Sequence, residues 1–436
     1  MKPMALRSLV RSLGRADRAT ALLDQGLLAA ARFAAMLVFA RIMSTDLFGA
    51  FALAVSISFI LNNIQRAVIV LPFIVSCQRP QDVARAVREW SWIDIATTAA
   101  VTAILAAGWA AGPSLAIESW VRIALGFSAL AAPPLMLYTF LRRVAYQTGE
   151  HRAVVAMVLV HAATYAAGIV LAVLLREAEY LPFVALAAAP AAGALVGAAG
   201  LHRHWGLPPP GTWHSFRSSI GLSKWSFLGT LAASVYTSGM NIVVAGFLGA
   251  GGSAAFAAAR TLVSPTVSLA TANDMVDKPR AGRAYADHGL AGLRRSVRSA
   301  LVFLGLLGGS YLLLVAIFSG PILDLVYGEK YAGLETELRL WALVMLLNLA
   351  VHPLATYLVT LRDTRSIFLC NLAAALVAVG VALPLFDSLG VAAALIAMGC
   401  ARLANLALLW IAARHTGSAV GKGVPAATRA DSGNAG

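Results

Sequence analysis

The sequence predicts an all-α polytopic membrane protein, with about twelve transmembrane helices in two pseudo-symmetric six-helix bundles. Three observations carry that expectation. The chain is 59% hydrophobic and only 12% charged, with a mean hydropathy of +0.77; a soluble domain carries about twice that charged fraction. Apolar runs of about 18 residues or more recur along the whole length, each long enough to cross a bilayer. Most of them lack the polar face that a helix of a soluble protein needs. Finally, the basic residues alternate. With the N-terminus placed in the cytoplasm, the cytoplasmic segments hold 25 of the 34 Lys and Arg, and the opposite segments hold four: Arg41, Arg122, Arg176 and Lys330. Basic residues are retained on the cytoplasmic side, so this pattern predicts N-in/C-in topology and an even number of helices. The net charge of +14 and pI of about 10.3 follow from that topology and do not call for a nucleic-acid partner.

In chain order the apolar cores fall at about 19–41, 48–72, 91–112, 120–141, 153–175 and 180–201, then 222–248, 254–274, 300–319, 335–359, 366–386 and 389–413. The first follows the basic stretch MKPMALRSLVRSLGRADRAT and ends in no small-residue cleavage site, so it reads as a retained helix. Residues 1–201 are expected to form the N-terminal bundle and 222–413 the C-terminal bundle. Between them, 202–221 reads as a cytoplasmic linker, with LPPPG and two Trp among polar residues. Residues 414–436 read as a flexible cytoplasmic tail. Segment 279–298, with Arg280, Arg283, Arg294, Arg295 and Arg298, reads as a short basic amphipathic helix on the inner surface, its cations toward anionic headgroups. Cys77, Cys370 and Cys400 are far apart and form no Cys-x-x-Cys pair, so no disulfide framework or zinc site is indicated.

The halves look related. ARIMSTDLFGAFALA (40–54) aligns without gaps on AGFLGAGGSAAFAAA (245–259), with Phe51 and Phe256 opening the next helix. YQTGEHRAVVA (146–156) echoes VTLRDTRSIFL (359–369). Two repeated halves point to a transporter with a central cavity and a site near the membrane midplane.

Four arginines lie inside the apolar runs: Arg32, Arg66, Arg260 and Arg402. None has an Asp or Glu three or four residues away on its own helix. An arginine at mid-helix costs about 2.5–3.5 kcal/mol on insertion scales, and such residues normally face a wet cavity or the bundle interior. Cations around one cavity would suit an anion, most simply phosphate or pyrophosphate. The alternative is that each snorkels to an interface or bonds to nearby carbonyls. Arg339 sits beside Glu335, so an i,i+4 pair is expected there. Asp24, His161, Asn241 and Asn405 are candidates for ion coupling or for polar lining of the cavity. Asp94 and Asp274 lie near cytoplasmic helix ends, and His352 is a further titratable group in the tenth helix. No phosphate-binding G-x-x-x-x-G-K-[ST], H-E-x-x-H or G-x-S-x-G motif is present, so no enzyme chemistry and no cofactor are expected.

Three stretches carry a resemblance. FARIMSTDLFGAFALA resembles the helix 1–2 junction of bacterial polysaccharide flippases, in the multidrug/oligosaccharidyl-lipid/polysaccharide exporter superfamily. The run from VYGEKYAGLETELRLW to VAVGVALP resembles their helix 9–11 region, and DSLGVAAALIAMGCARLANLALLWIAAR their last helix. The resemblance covers about residues 18–415 and rests on helix-junction patterns. It implies two bundles around a central cavity. It also implies movement of a polyprenyl-pyrophosphate-linked oligosaccharide, a cell-surface polysaccharide precursor, across the bacterial inner membrane. Arg32, Arg260, Arg402 and Arg66 would hold its anionic part. The expected partners are that substrate, membrane lipids, an H+ or Na+ coupling ion, and polysaccharide polymerase and export machinery. Two departures stand out: Asn241 where many members carry an acid in helix 7, and Ala254 or Ala255 in place of a Gly in helix 8. The first rival reading is a multidrug or organic-cation antiporter of the same superfamily, which predicts carboxylates deep in the cavity. The second is a membrane-embedded glycosyltransferase or polymerase, which needs a base on a sizeable outer loop.

Overall fold

The computed structural model describes residues 26–77, 80–175 and 179–421. These residues are helical almost throughout, with no strand among them. The chain divides into two compact units, Met1–Ser223 and Lys224–Gly436. In the first unit, α1 spans 26–42. Helix α2 (Thr45–Gln65) continues through one π-helical turn (Arg66–Val70) into α3 (Leu71–Ser76). Then come α4 (Pro80–Ala111), α5 (Ser119–Gln147), α6 (His151–Leu174) and α7 (Leu181–Gly200). Helix α8 (Thr212–Val235) leads into the second unit. There α9 (Gly239–Val263), α10 (Pro265–Ile317) and α11 (Ser319–Tyr327) are followed by α12 (Glu335–Thr360), α13 (Thr364–Leu389) and α14 (Val391–Gly421). Among the described residues, ten stretches are long and apolar enough to cross a membrane. Two of the long helices carry breaks: α9 at Gly249 (φ 67°, ψ −162°) and α10 at Gly289 (φ 60°, ψ −149°).

The backbone bears out the internal repeat at residue level. Ser44, at φ −61° and ψ 157°, ends the helical run before α2, and its hydroxyl caps the Leu47 N–H. The aligned residue in the second unit is Gly249, the break within α9. Downstream, Phe51 and Phe256 are both fully buried. Phe51 packs between Phe39 and Phe183, and Phe256 against Trp341. The second pair of segments matches just as closely. After α5 the chain turns through Gly149 (φ 75°), and the Glu150 N–H donates to Ala145 O at 2.8 Å. After α12 it turns through Arg362 (φ 61°), and the Asp363 N–H donates to Leu358 O at 3.0 Å. Both are left-handed helix C-caps with the same long back-bond.

Within the first unit α4 packs on α5, α5 on α7 and α2, and α6 on α7. Small residues permit these approaches: a Cβ on Gly193 of α7 would strike the Tyr138 ring of α5 at 2.7 Å. A core of Ile69, Phe73, Trp90, Tyr138, Phe140 and Met157 fills the space. In the second unit α10 packs on α12, α12 on α14 and α13 on α14.

Three details depart from the sequence reading. Segment 279–298 is no separate surface helix; it is part of α10, which runs through Pro279 and breaks at Gly289. Helix α8 begins at Thr212, inside the expected linker, because Phe216 packs on Trp90 and Trp213 packs on Phe216. Helix α14 runs to Gly421, past the expected start of the tail. There Thr416 Oγ1 donates to Asp363 Oδ2 at 2.7 Å, and the Arg414 guanidinium lies 3.4 Å above the Trp410 ring.

Candidate functional site

Each unit builds its own buried polar centre. In the first unit, positions 138 and 142 of α5 share a face, as do 161 and 165 of α6. His161, 4% exposed, stacks on the Tyr138 ring at 4.7 Å and lies 6.2 Å from Tyr165. The Arg142 guanidinium lies over the other partner of this stack, 5.3 Å from the Tyr138 centroid. Arg32 of α1 sits 5.9 Å from the Phe59 ring of α2. Both Arg32 and Arg142 are close enough to act on His161 electrostatically. Two guanidiniums and an imidazole thus gather among aromatic rings, a setting in which guanidinium gains cation–π attraction. The structure brings together Arg32 and His161 from the sequence reading and adds Arg142, which the charge count had assigned to a cytoplasmic loop. Arg66 opens the π-helical turn and is exposed.

The second unit centres on Arg402 of α14. It is 8% exposed; its guanidinium lies 4.9 Å from the Tyr236 ring, and its Nε has no hydrogen-bond partner. Tyr236 lies in the short non-helical link between α8 and α9. Its hydroxyl donates to Asn371 Oδ1 at 3.0 Å, and Asn405 Nδ2 donates to the same oxygen at 3.0 Å. Asn371 Nδ2 in turn donates to Gly229 O at 3.2 Å. Arg402 and Asn405, three apart, share one face of α14. Asn371 and Tyr236 are the members that sequence reasoning did not single out as a site; their interhelical spacing leaves no sequence motif. Arg260 lies in the last turn of α9 and is half-buried. Tyr327 and Tyr311 donate to the carbonyls of Ala258 and Leu262 on either side of it, at 3.0 and 2.6 Å. Asn241 accepts from Ser253 Oγ at 3.2 Å, joining the two parts of α9 across Gly249. Asp24 lies outside the described residues.

Other charged groups settle locally. Asp274 accepts from Lys278 at 2.7 Å and lies 3.3 Å from His352 Nδ1. Arg339 Nε donates to the buried Ser319 Oγ at 3.0 Å; among the described residues it makes no ion pair with Glu335, because α11 brings a closer acceptor. Outside the spanning segments, burial and the Asp82 charge push the Cys77 thiol up to about 11. Burial also lowers the Lys330 ammonium below its usual range.

Comparison with solved structures shows which proteins share this fold. An inward-facing multidrug resistance transporter of the MATE family, MOP superfamily, matches with a TM-score of 0.71 and 14% identity, covering 92% of this chain and 96% of that one. The lipid II flippase MurJ in an inward closed conformation matches with a TM-score of 0.70 and 12% identity, over 91% of this chain and 87% of that one. A MOP superfamily transporter from Pyrococcus furiosus, described as having a binding pocket of reverse polarity, matches at 0.63 and 13% identity, over 93% and 95%. No protein-family model matches the chain, and no curated protein does. At this identity the likeness is one of fold. The chain has the fold of the MATE and MurJ transporters, with two pseudo-symmetric halves and, among the described residues, ten helices long and apolar enough to cross a membrane.

Proposed function

We propose that the protein is a flippase that moves a polyprenyl-pyrophosphate-linked oligosaccharide, a surface-polysaccharide precursor, across the bacterial inner membrane by alternating access, with both termini in the cytoplasm. The observation that carries this reading is the sign of the two polar centres. One unit gathers Arg32, Arg142 and His161 among tyrosines, and the other buries Arg402 over Tyr236. Guanidinium is weakly hydrated, stacks on aromatic faces and grips phosphate oxygens in pairs, so it suits an anionic pyrophosphate passing through a low-dielectric site. Arg260 is the third intramembrane arginine assigned to the substrate. An organic-cation antiporter would need the opposite polarity at these centres. Both kinds of substrate occur among the similar folds, one a multidrug transporter and one a lipid II flippase. Here charge favours the lipid-linked anion.

The test is mass spectrometry of polyprenyl-linked saccharides in a strain lacking the protein. One lipid-linked oligosaccharide is expected to accumulate, to return to normal with wild type, and to stay high with Arg32→Ala/Arg260→Ala/Arg402→Ala. Absence of any accumulating lipid, with surface polysaccharide intact, overturns the reading.

A further inference from the structure

The first unit contains a carboxyl group that the anion-binding reading does not use. Asp94 lies well inside α4 and is 1% exposed. Gln65, the last residue of α2 before the π-helical turn, is 0% exposed. Its amide Nε2 donates to Asp94 Oδ1 at 2.7 Å and to Met136 O of α5 at 2.7 Å. Its Oε1 is buried with no hydrogen-bond partner. Three helices therefore meet at one carboxyl. The ionisable groups on the neighbouring elements include Asp46 of α2, Arg66 of the π turn, Asp82, Arg85, Arg88 and Glu89 of α4, and Arg122, Tyr138, Arg142, Arg143 and Tyr146 of α5. Among the described residues, the side chain hydrogen-bonded to Asp94 is the Gln65 amide.

Burying a carboxylate without a counter-ion costs several kcal/mol, and binding a proton removes that cost. Intramembrane acids of this kind mark ion and proton pathways. The partner is suited to both states. A carboxylate accepts from the amide NH2; a protonated carboxyl donates, and the idle Gln65 Oε1 becomes its acceptor once the amide turns over. The backbone beside it departs from the regular helix too. The Leu71 N–H bonds back to Arg66 O, five residues earlier, just before Pro72, which has no N–H to give. Such π turns recur at functional sites.

We infer that Asp94, with Gln65 as its partner, is a proton-binding site in the interior of the first unit. The carboxylate takes up one proton from water on one side of the membrane as the Gln65 amide turns from donor to acceptor, and returns it to water on the other. The purpose of the site, coupling to a proton gradient, rests on the proposed transport function; the binding itself does not.

The test uses the full chain, purified and reconstituted in phosphatidylglycerol/phosphatidylethanolamine vesicles without substrate. Infrared difference spectra between alkaline and acidic pH are recorded for wild type, Asp94→Asn and Asp94→Glu, after matched melting curves establish folding. Wild type is expected to gain a protonated-carboxyl band that Asp94→Asn lacks and that Asp94→Glu restores at a displaced position. An Asp94→Asn spectrum identical to wild type overturns the site. The same variants then enter the deletion strain. A proton carrier predicts that lipid-linked saccharide stays high with Asn and falls with Glu. A purely packing role predicts the reverse, because Asn is isosteric while Glu adds a methylene to a filled core; that result overturns the inference as well. If the strain never accumulates such a lipid, the flippase reading fails while the infrared result stands or falls on its own.

Discussion

After α5 the chain turns through Gly149 with φ 75°; after α12 it makes the same turn, with the same back-bond, through Arg362 at φ 61°. Ser44 and Gly249 interrupt their helices at aligned positions, and Phe51 and Phe256 plug the cores that follow. The two units share a backbone plan down to single turns. Their buried polar groups share nothing of the kind. The first unit joins α2, α4 and α5 through Gln65 and Asp94, and stacks His161 on Tyr138. The second joins the α8–α9 link, α13 and α14 through Tyr236, Asn371, Asn405 and Arg402. The difference teaches that the repeat specifies packing and turn geometry, whereas chemistry was placed in each half separately. A buried carboxyl held by an amide in one half and a guanidinium stacked on a tyrosine in the other are different devices on one frame.

The largest expected effect tests the shared frame. Phe51→Ala and Phe256→Ala each delete a fully buried ring, a change that costs about 3–5 kcal/mol in packed cores. Melting curves of the detergent-purified protein should show both variants strongly and similarly destabilised. A large loss in one unit and none in the other would break the equivalence of the two plugs.

The next test separates chemistry from frame. A buried charge carries a desolvation penalty that an apolar side chain of similar volume avoids. Arg402→Met should therefore leave the melting temperature unchanged or raise it, while lipid-linked saccharide accumulates as in the deletion strain. A destabilised protein that still transports would make Arg402 part of the frame.

A smaller effect sits in the repeated turn. A left-handed conformation costs a residue with a side chain roughly 1–2 kcal/mol, and glycine escapes that cost. Gly149→Ala should thus destabilise by about 1 kcal/mol and Arg362→Gly should stabilise by up to about the same amount. Melting temperatures moving in opposite directions sharpen the comparison. Parallel shifts would mean that the two turns bear different strain.

The repeat and the apolar runs were legible because both follow from hydropathy and from short junction patterns that survive in the residues themselves. The polar residues of the candidate site were legible in part. Arg32, Arg402 and His161 stand out as polar residues in apolar runs. Asp94 was read as a residue near a helix end because hydropathy begins that helix at 91; α4 in fact starts at Pro80, its polar first turns continuing beyond the apolar core. The same averaging hid the run-on of α10 through its basic stretch. The bond from Arg339 to Ser319 depends on where α11 folds back, which no local pattern encodes.

The smallest effect probes where the units part. The helix after the repeated break ends at Ser76 in the first unit, beyond its π turn. In the second unit the helix after Gly249 ends at Val263, and α10 follows directly from Pro265 to its break at Gly289. Cys77 closes the helix of the first unit, half-buried, and burial together with the Asp82 charge holds its thiol at about 11. The thiolate is the reactive form, so at neutral pH Cys77 should react slowly with maleimide and faster as pH rises toward that value. In a Cys370→Ser/Cys400→Ser background, Asp82→Asn removes the weaker of the two causes and should raise the labelling rate modestly. With an impermeant reagent, labelling only from the cytoplasmic side is the outcome that the proposed N-in topology requires. Fast labelling independent of pH would mean that the end of α3 is open to water, and that the first unit is looser there than its packing implies.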